Sequence, residues 1–278
     1  MNEHIARFIE WLNQHFAEQG ASVRFLCEGA RIVAHGFGSA LNSTFQPVVS
    51  AATGRTLGWE AAVWPYGLEA SLPTTEFLRR FARNEDMARA DRACRSLHLA
   101  NFIHAMPDDG HLFLHLHPRH LLRAGCYGEV FAQIVDAAGV PPERIALEIL
   151  EHEAQDEAQL ADVVKRLKAH GFLIALDDFG HADHAFHYNR LTALKPNIVK
   201  FHPSLMAGVC ASHHYMLRRL VSAVHALGAT VVATGISHAA EARIAREVGV
   251  DMLQGHEVVA AHAAPWPASD AWLNMQPA

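Results

Sequence analysis

Residues 44–64 read TFQPVVSAATGRTLGWEAAVW. Two apolar runs, TFQPVVS (44–50) and LGWEAAVW (57–64), flank the turn-rich hexapeptide AATGRT. A hexapeptide is too short for a crossover helix, so the two runs are expected to pair antiparallel. Further apolar runs follow: HLFLHLH (111–117), RIALEIL (144–150), FLIALDD (172–178), NIVKF (197–201), ATVVAT (229–234) and DMLQG (251–255). Helical patterns separate these later runs, as at 84–105, 156–170 and 213–227, and helix-separated strands imply a parallel sheet. The eight runs together predict an α/β fold, a modified (β/α)8 barrel with an antiparallel strand near its start, over residues 41–278. An open doubly wound sheet is the alternative, but no glycine-rich phosphate loop follows the first strand.

Residues 1–40 form an extension with no motif. Ile5, Phe8, Ile9, Leu12 and Phe16 recur at spacings of three and four, which predicts an amphipathic helix over 3–19. Short β-like runs follow within 22–37. The extension is read as packed on the barrel or as a dimer arm.

Composition narrows the function. The chain has 278 residues, a formal charge of -6 and 19% charged residues, a balance that argues against a nucleic-acid surface. No apolar run approaches the roughly 20 residues of a membrane helix. The start, MNEHIARFIEWLNQHF, lacks the basic and apolar blocks of a secretory signal. Cys27, Cys94, Cys126 and Cys210 show no CxxC spacing. The expectation is a cytoplasmic protein in a reducing compartment. The 21 histidines invite a metal reading.

In such a barrel, function sits at the C-terminal ends of the strands. The strands deliver Glu60, His115, Glu148 with Glu151, Asp177 with Asp178, Lys200 with His202, Thr234 and Gln254 to that rim. Like charges gathered this closely need a cation to neutralise them. Oxygen ligands suit Mg²⁺ or Mn²⁺. A divalent ion held by Asp177, with Lys200 beside it, is equipment for activating water against a phosphodiester. Helix caps and salt bridges explain one such acid, but not four at successive strand ends.

The ordered motifs resemble the EAL domain. They are Phe45-Gln46-Pro47-Val48-Val49, Glu60-Ala61-Ala62, Leu147-Glu148-Ile149-Leu150-Glu151, Asp177-Asp178-Phe179-Gly180, Val199-Lys200 and Gln254-Gly255. The resemblance covers about residues 43–265. It implies a modified (β/α)8 barrel that hydrolyses cyclic di-GMP to pGpG with two Mg²⁺ or Mn²⁺ ions, and homodimers. By motif, Glu60, Glu148 and Asp177 match metal ligands, and Asp178 matches the second-metal aspartate. Lys200 and Gln254 match residues at the nucleophilic water, and Gln46 matches a ligand-contacting glutamine.

Departures from the family pattern bear on activity. His115 replaces an asparagine metal ligand, and imidazole favours Zn²⁺ or Mn²⁺ over Mg²⁺. Thr234 replaces a glutamate ligand of the second ion, which predicts an impaired second metal site. Ser237 and His202 replace further acids, His238 stands where the family pattern has a different residue, and a zinc ion through His115 or His202 is one way to rebuild a site. Trp64 replaces a ligand-contacting arginine and either stacks on guanine or packs in the core. The loop His181-Ala182-Asp183-His184-Ala185 departs from the family string. The remaining histidines, His98 among them, read as surface or capping residues.

The expected function is a degenerate regulatory protein of cyclic di-GMP signalling with little or no hydrolysis. It acts through a regulatory protein partner or by binding cyclic di-GMP. The alternative is an active phosphodiesterase with a histidine-modified metal site.

Overall fold

Strand β3 (Ser39–Ser50) pairs antiparallel with β4 (Thr56–Tyr66) on one side and with β10 (Met252–Leu253) on the other. Parallel pairing runs from β4 through β5 (His111–Leu116), β6 (Ile145–Leu150), β7 (Leu173–Phe179), β8 (Ile198–Phe201) and β9 (Thr230–Ala233) to β10. The ladder therefore closes, and β3 is the strand that runs against the rest. This computed structural model describes residues 3–66, 84–105, 110–116, 127–150, 157–181, 188–206 and 211–261. The expected barrel with its antiparallel start is the observed one.

Helices fill the crossovers: α2 (Asn84–Ala105), α3 (Tyr127–Ala137), α4 (Glu157–Ala169), α5 (Tyr188–Leu194), α6 (Ala211–Ala226) and α7 (Ala239–Val248), with α8 (His256–Ala261) after the last strand. Strand residues alternate between two apolar layers, as the period of two requires. Leu41, Phe45, Val49, Trp59, Ala61 and Val63 join the outer core beneath the helices. Val48, Phe113, Ala146, Ala175, Ile198, Val232 and Met252 close the barrel's inside. Position 58 must be glycine there. A Cβ on Gly58 would stand 2.7 Å from the Phe113 ring and 2.7 Å from the His111 carbonyl oxygen.

The N-terminal residues extend this sheet. Helix α1 (Glu3–Glu18) buries Ile5, Phe8, Ile9, Leu12 and Phe16, the stripe expected from spacing. A hairpin of β1 (Val23–Glu28) and β2 (Arg31–Gly36) follows. β2 joins β3 through Ala34↔Leu41, His35↔Ala40 and Gly36↔Ser39. β1 is an edge strand, whose unpaired backbone would otherwise invite pairing with another chain. Asn13 closes part of that edge, accepting from the Phe25 amide at 2.7 Å and donating to the Phe25 carbonyl at 3.0 Å.

A buried polar chain ties the hairpin to the barrel. Asn101 accepts from the Ile32 amide at 2.9 Å and donates to the Ile32 carbonyl at 2.8 Å and to Ser43 Oγ at 3.2 Å. Ser43 Oγ in turn lies 2.8 Å from His98 Nδ1. His98 is buried and packs between α2 and β3. The surface role expected for it is thus replaced by an internal one. Burial, then the nearby positive groups, push its pKa down to about 3, so it is held neutral.

Candidate metal centre

Each barrel strand places a second inward residue two positions beyond its member of the apolar floor. On β4 to β10 these are Glu60, His115, Glu148, Asp177, Lys200, Thr234 and Gln254, the last two just past the ends of β9 and β10; on the reversed strand β3 it is Gln46. An apolar floor thus carries a polar ring, one residue from every strand. The alternation that builds the strands also aims the chemistry into the barrel mouth.

Lys200 stands inside the ring. Its Nζ donates to Glu60 Oε2 and to Glu148 Oε1, each at 2.6 Å, and lies 3.7 Å from Asp177 Oδ1. His115 faces the same acids. Its Nε2 is 2.8 Å from Glu60 Oε1, and its Nδ1 is 3.2 Å from Glu148 Oε2 and 3.7 Å from Asp177 Oδ2. Gln254 Nε2 donates to Glu60 Oε2 and, at 2.9 Å, to Gln46 Oε1. Gln46 and Glu60 are direct cross-strand partners, which brings the two together.

Burial works against charge on all these groups, and their neighbours decide the outcome. For Glu60, desolvation is outweighed by Lys200 and His115, and its pKa lies well below the usual carboxylate range. For Glu148, desolvation and the nearby Glu60 charge prevail and push it up to about 7. Desolvation disfavours protonated His115, but Glu148, Glu60 and Asp177 overcome it and raise the imidazole to about 10. The His115 side chain is half exposed, so solvent screens this pull. Lys200 is held well above its ordinary value; burial opposes this, and Asp177, Glu148 and Glu60 prevail.

The residues fit a divalent cation. Glu60, His115 and Glu148 bring ligand atoms within 4.8 Å of one another. Glu148 Oε2 is buried and accepts no well-aligned hydrogen bond, its nearest donor being His115 Nδ1 at 3.2 Å. A buried carboxylate oxygen without an aligned hydrogen bond is costly, and a cation relieves that cost. Two carboxylates and an imidazole form a donor set suited to Mn²⁺ or Zn²⁺. Asp177 stands at the edge of this group through its contacts with His115 and Lys200.

Other expected site residues stand outside the three-ligand group. Asp178 adopts φ 58° and donates its amide to Asp177 Oδ1 at 2.9 Å, a local bond that orients Asp177. The Thr234 hydroxyl donates to the Phe201 carbonyl at 2.8 Å. His202 accepts from the Ser204 amide through Nδ1 at 3.2 Å, and its ring lies 4.3 Å from that of His181. His238 starts α7, where Glu241 accepts from the Ser237 and His238 amides at 2.7 and 3.2 Å. Among the described residues, neither His202 nor His238 enters the three-ligand group. Trp64 is half buried on the face of β4 that carries Glu60. Glu151, Asp183 and His184 lie outside the described residues.

Two relevant residues escaped the sequence reading. His98 sits within Ser96-Leu97-His98-Leu99, and apolar neighbours on both sides were the available signal of burial. Asn42 is the other. It lies on the inner face of β3, a placement readable only once the register with β4 is known.

The EAL domain family model matches residues 37–260. The chain is 27% identical over 230 residues to an uncharacterised protein of Azorhizobium caulinodans, covering 78% of this chain and 31% of that one. It is 26% identical over 221 residues to the probable cyclic di-GMP phosphodiesterase PdeB of Escherichia coli K12, covering 76% of this chain and 40% of that one. The chain therefore spans 31% and 40% of the length of these two relatives. In fold it is similar to the manganese and cyclic di-GMP complex of Klebsiella pneumoniae BlrP1, with TM-score 0.69 and 24% identity over 77% of this chain and 54% of that one. None of the helices among the described residues is long and apolar enough to cross a membrane.

Proposed function

This chain belongs to the EAL domain family, and from that membership we propose that it is a cyclic di-GMP signalling protein that binds the dinucleotide at the barrel mouth and cleaves it slowly or not at all. The observation that carries the reading is the Thr234 hydroxyl, which is neutral and donates to the Phe201 carbonyl at the ring position where the family pattern has a glutamate. The names of two similar proteins, a probable cyclic di-GMP phosphodiesterase and a cyclic di-GMP complex, support the ligand class.

Glu60, His115 and Glu148 would hold a divalent cation, which would supply positive charge and Lewis acidity toward a phosphodiester at the mouth. The chain's own residues do the rest. Lys200 holds Glu60 and Glu148 in place and keeps a positive charge under the mouth. Gln254 spans Gln46 and Glu60 and presents its amide beside them. Without an acid at position 234, a second cation loses a charged ligand. A loss of ~4 kcal/mol in transition-state stabilisation slows a step about a thousandfold. Output then runs through the ligand-bound state or through a regulatory protein partner.

A second reading has its own support. The Glu60–His115–Glu148 group suits Mn²⁺ or Zn²⁺, and with such an ion the chain would be an active phosphodiesterase producing pGpG. Titration calorimetry with cyclic di-GMP in Ca²⁺, together with chromatography of pGpG in Mg²⁺, Mn²⁺ and Zn²⁺, separates the two. Binding without turnover in all three ions is expected. Fast turnover in Mn²⁺ or Zn²⁺ establishes the second reading, and absence of binding leaves function by protein contacts.

A further inference from the structure

The ladder of β7, β8 and β9 continues past the last strand residues. The His202 amide donates to the Phe179 carbonyl at 3.0 Å, and the Thr234 amide donates to the Phe201 carbonyl at 3.2 Å. Phe201 pairs with Ala233, so the next pair outward sets His202 beside Thr234. Lys200 faces the barrel mouth through its bonds to Glu60 and Glu148. A period of two returns His202 to the same face, roughly 7 Å farther along the strand. The two strand ends are clamped together. Gly235 has φ 66°, and a Cβ there would stand 2.5 Å from Pro203 Cγ, so glycine lets residues 202–204 sit this close.

At both paired positions the family pattern has an acid. A carboxylate beside a phosphodiester repels it unless a cation stands between them. Here neither side chain is acidic, and that need falls away. His202 is also held in one orientation. Its Nδ1 accepts from the Ser204 amide at 3.2 Å and lies 2.9 Å from Ser204 Oγ. A ring nitrogen that accepts from an amide carries no hydrogen, so the neutral imidazole carries its hydrogen on Nε2. The His181 ring packs against it at an angle of 59°, with centroids 4.3 Å apart, and both residues are half-buried. The same tautomer opposes zinc ligation through Nε2, because a metal needs the lone pair of that nitrogen.

We infer that His202 is a phosphate-contacting residue, whose Nε2–H donates to a non-bridging oxygen of the bound phosphodiester where the family pattern sets an acid for a second cation. The inference rests on the cyclic di-GMP reading above. The donor belongs to the neutral ring and needs no added proton. Ser204 is the positioning residue, since its amide fixes which nitrogen donates. A hydrogen bond to a charged oxygen is stronger than one between neutral groups, which gives this single contact weight in binding.

Titration calorimetry of the full chain with cyclic di-GMP in Ca²⁺, at about pH 8 where an ordinary imidazole is neutral, tests this. His202→Phe keeps a ring at this place and removes the donor, and affinity should fall roughly 10- to 100-fold. His202→Gln restores an amide N–H near the place of Nε2 and should recover most of that loss. Both variants should bind Mn²⁺ and Zn²⁺ as the unaltered chain does, because His202 is not among Glu60, His115 and Glu148. In the unaltered chain, proton–nitrogen NMR correlation of the imidazoles should show hydrogen on Nε2 of His202 and none on Nδ1, and the Nε2 signal should move when cyclic di-GMP is added. Far-ultraviolet circular dichroism confirms that each variant is folded. Unchanged cyclic di-GMP affinity in folded His202→Phe overturns the inference, and so does a hydrogen on Nδ1 in the unaltered chain. Weakened Zn²⁺ binding by His202→Phe with unchanged cyclic di-GMP affinity makes His202 a metal ligand instead. Absence of cyclic di-GMP binding by the unaltered chain overturns the functional reading and the inference with it.

Discussion

The hydroxyl of Thr234 donates to the carbonyl oxygen of Phe201 at 2.8 Å, bridging the ends of two neighbouring strands at a ring position otherwise suited to an acid. Thr234→Glu replaces this bridge with a carboxylate beside the metal centre. Its affinity for Mn²⁺ should rise about tenfold or more, corresponding to ~1.4 kcal/mol. Calorimetry reads the change directly, and an unchanged Mn²⁺ isotherm would disconnect position 234 from cation binding. Combining it with His115→Asn should shift preference toward Mg²⁺, because an amide oxygen replaces a borderline-soft imidazole nitrogen.

Lys200 is the sole lysine or arginine among the ring residues, and it holds Glu60 and Glu148 at 2.6 Å. Lys200→Met keeps the bulk of the side chain and removes the charge. Metal-free protein should lose about 3–5 kcal/mol of stability, the usual cost of orphaning buried ionic partners. Mn²⁺ should restore part of that loss, since it neutralises the same acids. Urea unfolding with EDTA and with Mn²⁺ measures both. Equal stability of mutant and parent in EDTA would refute the pairing.

His98 makes stability depend on acid. Its folded pKa of about 3 lies below the ordinary 6.5. Between those values the unfolded chain takes up a proton that the folded chain refuses. The stabilisation from neutral His98 is therefore complete above about pH 6.5 and is lost as pH falls toward 3. His98→Gln removes this titration. Between pH 7 and pH 5 the parent should lose about 2 kcal/mol more than the variant. Urea midpoints at the two pH values provide the comparison, and parallel losses would contradict a buried neutral imidazole.

Asn101 pairs with both backbone groups of Ile32. Asn101→Leu leaves that amide and carbonyl without their partner, at a cost of about 2–4 kcal/mol. Amide exchange at Ile32 should accelerate while exchange at the barrel strands changes less. Uniform acceleration throughout would show that the hairpin and barrel open together rather than through this link.

Some of this was legible in residue order alone. Short apolar runs bounded by turns and helical stretches disclosed the barrel, because burial on both faces of a parallel strand leaves an unbroken apolar signature. The hexapeptide at 51–56 disclosed the antiparallel start. His115, Glu148 and Lys200 were found because each stands near a strand's C-terminal end, and Glu60 because it opens the Glu60-Ala61-Ala62 motif within β4. What spacing could not show is how these side chains pair. His115 and Lys200 meet the same acids although 85 residues separate them in the chain. His202 and Asn42 illustrate the other limit. One accepts from the Ser204 amide and joins no ligand group among the described residues, and the other is turned toward the mouth by cross-strand register. The second outcome is not encoded in any local motif.

The reversed direction of β3 fixes where the N-terminal hairpin exerts its influence. Because β3 runs against the other strands, its first residues lie at the mouth, and these are the residues to which β2 is hydrogen-bonded. The hairpin is therefore joined to the barrel at its open end. A single strand leads from that junction to Gln46, and the Gln254 amide connects Gln46 to Glu60.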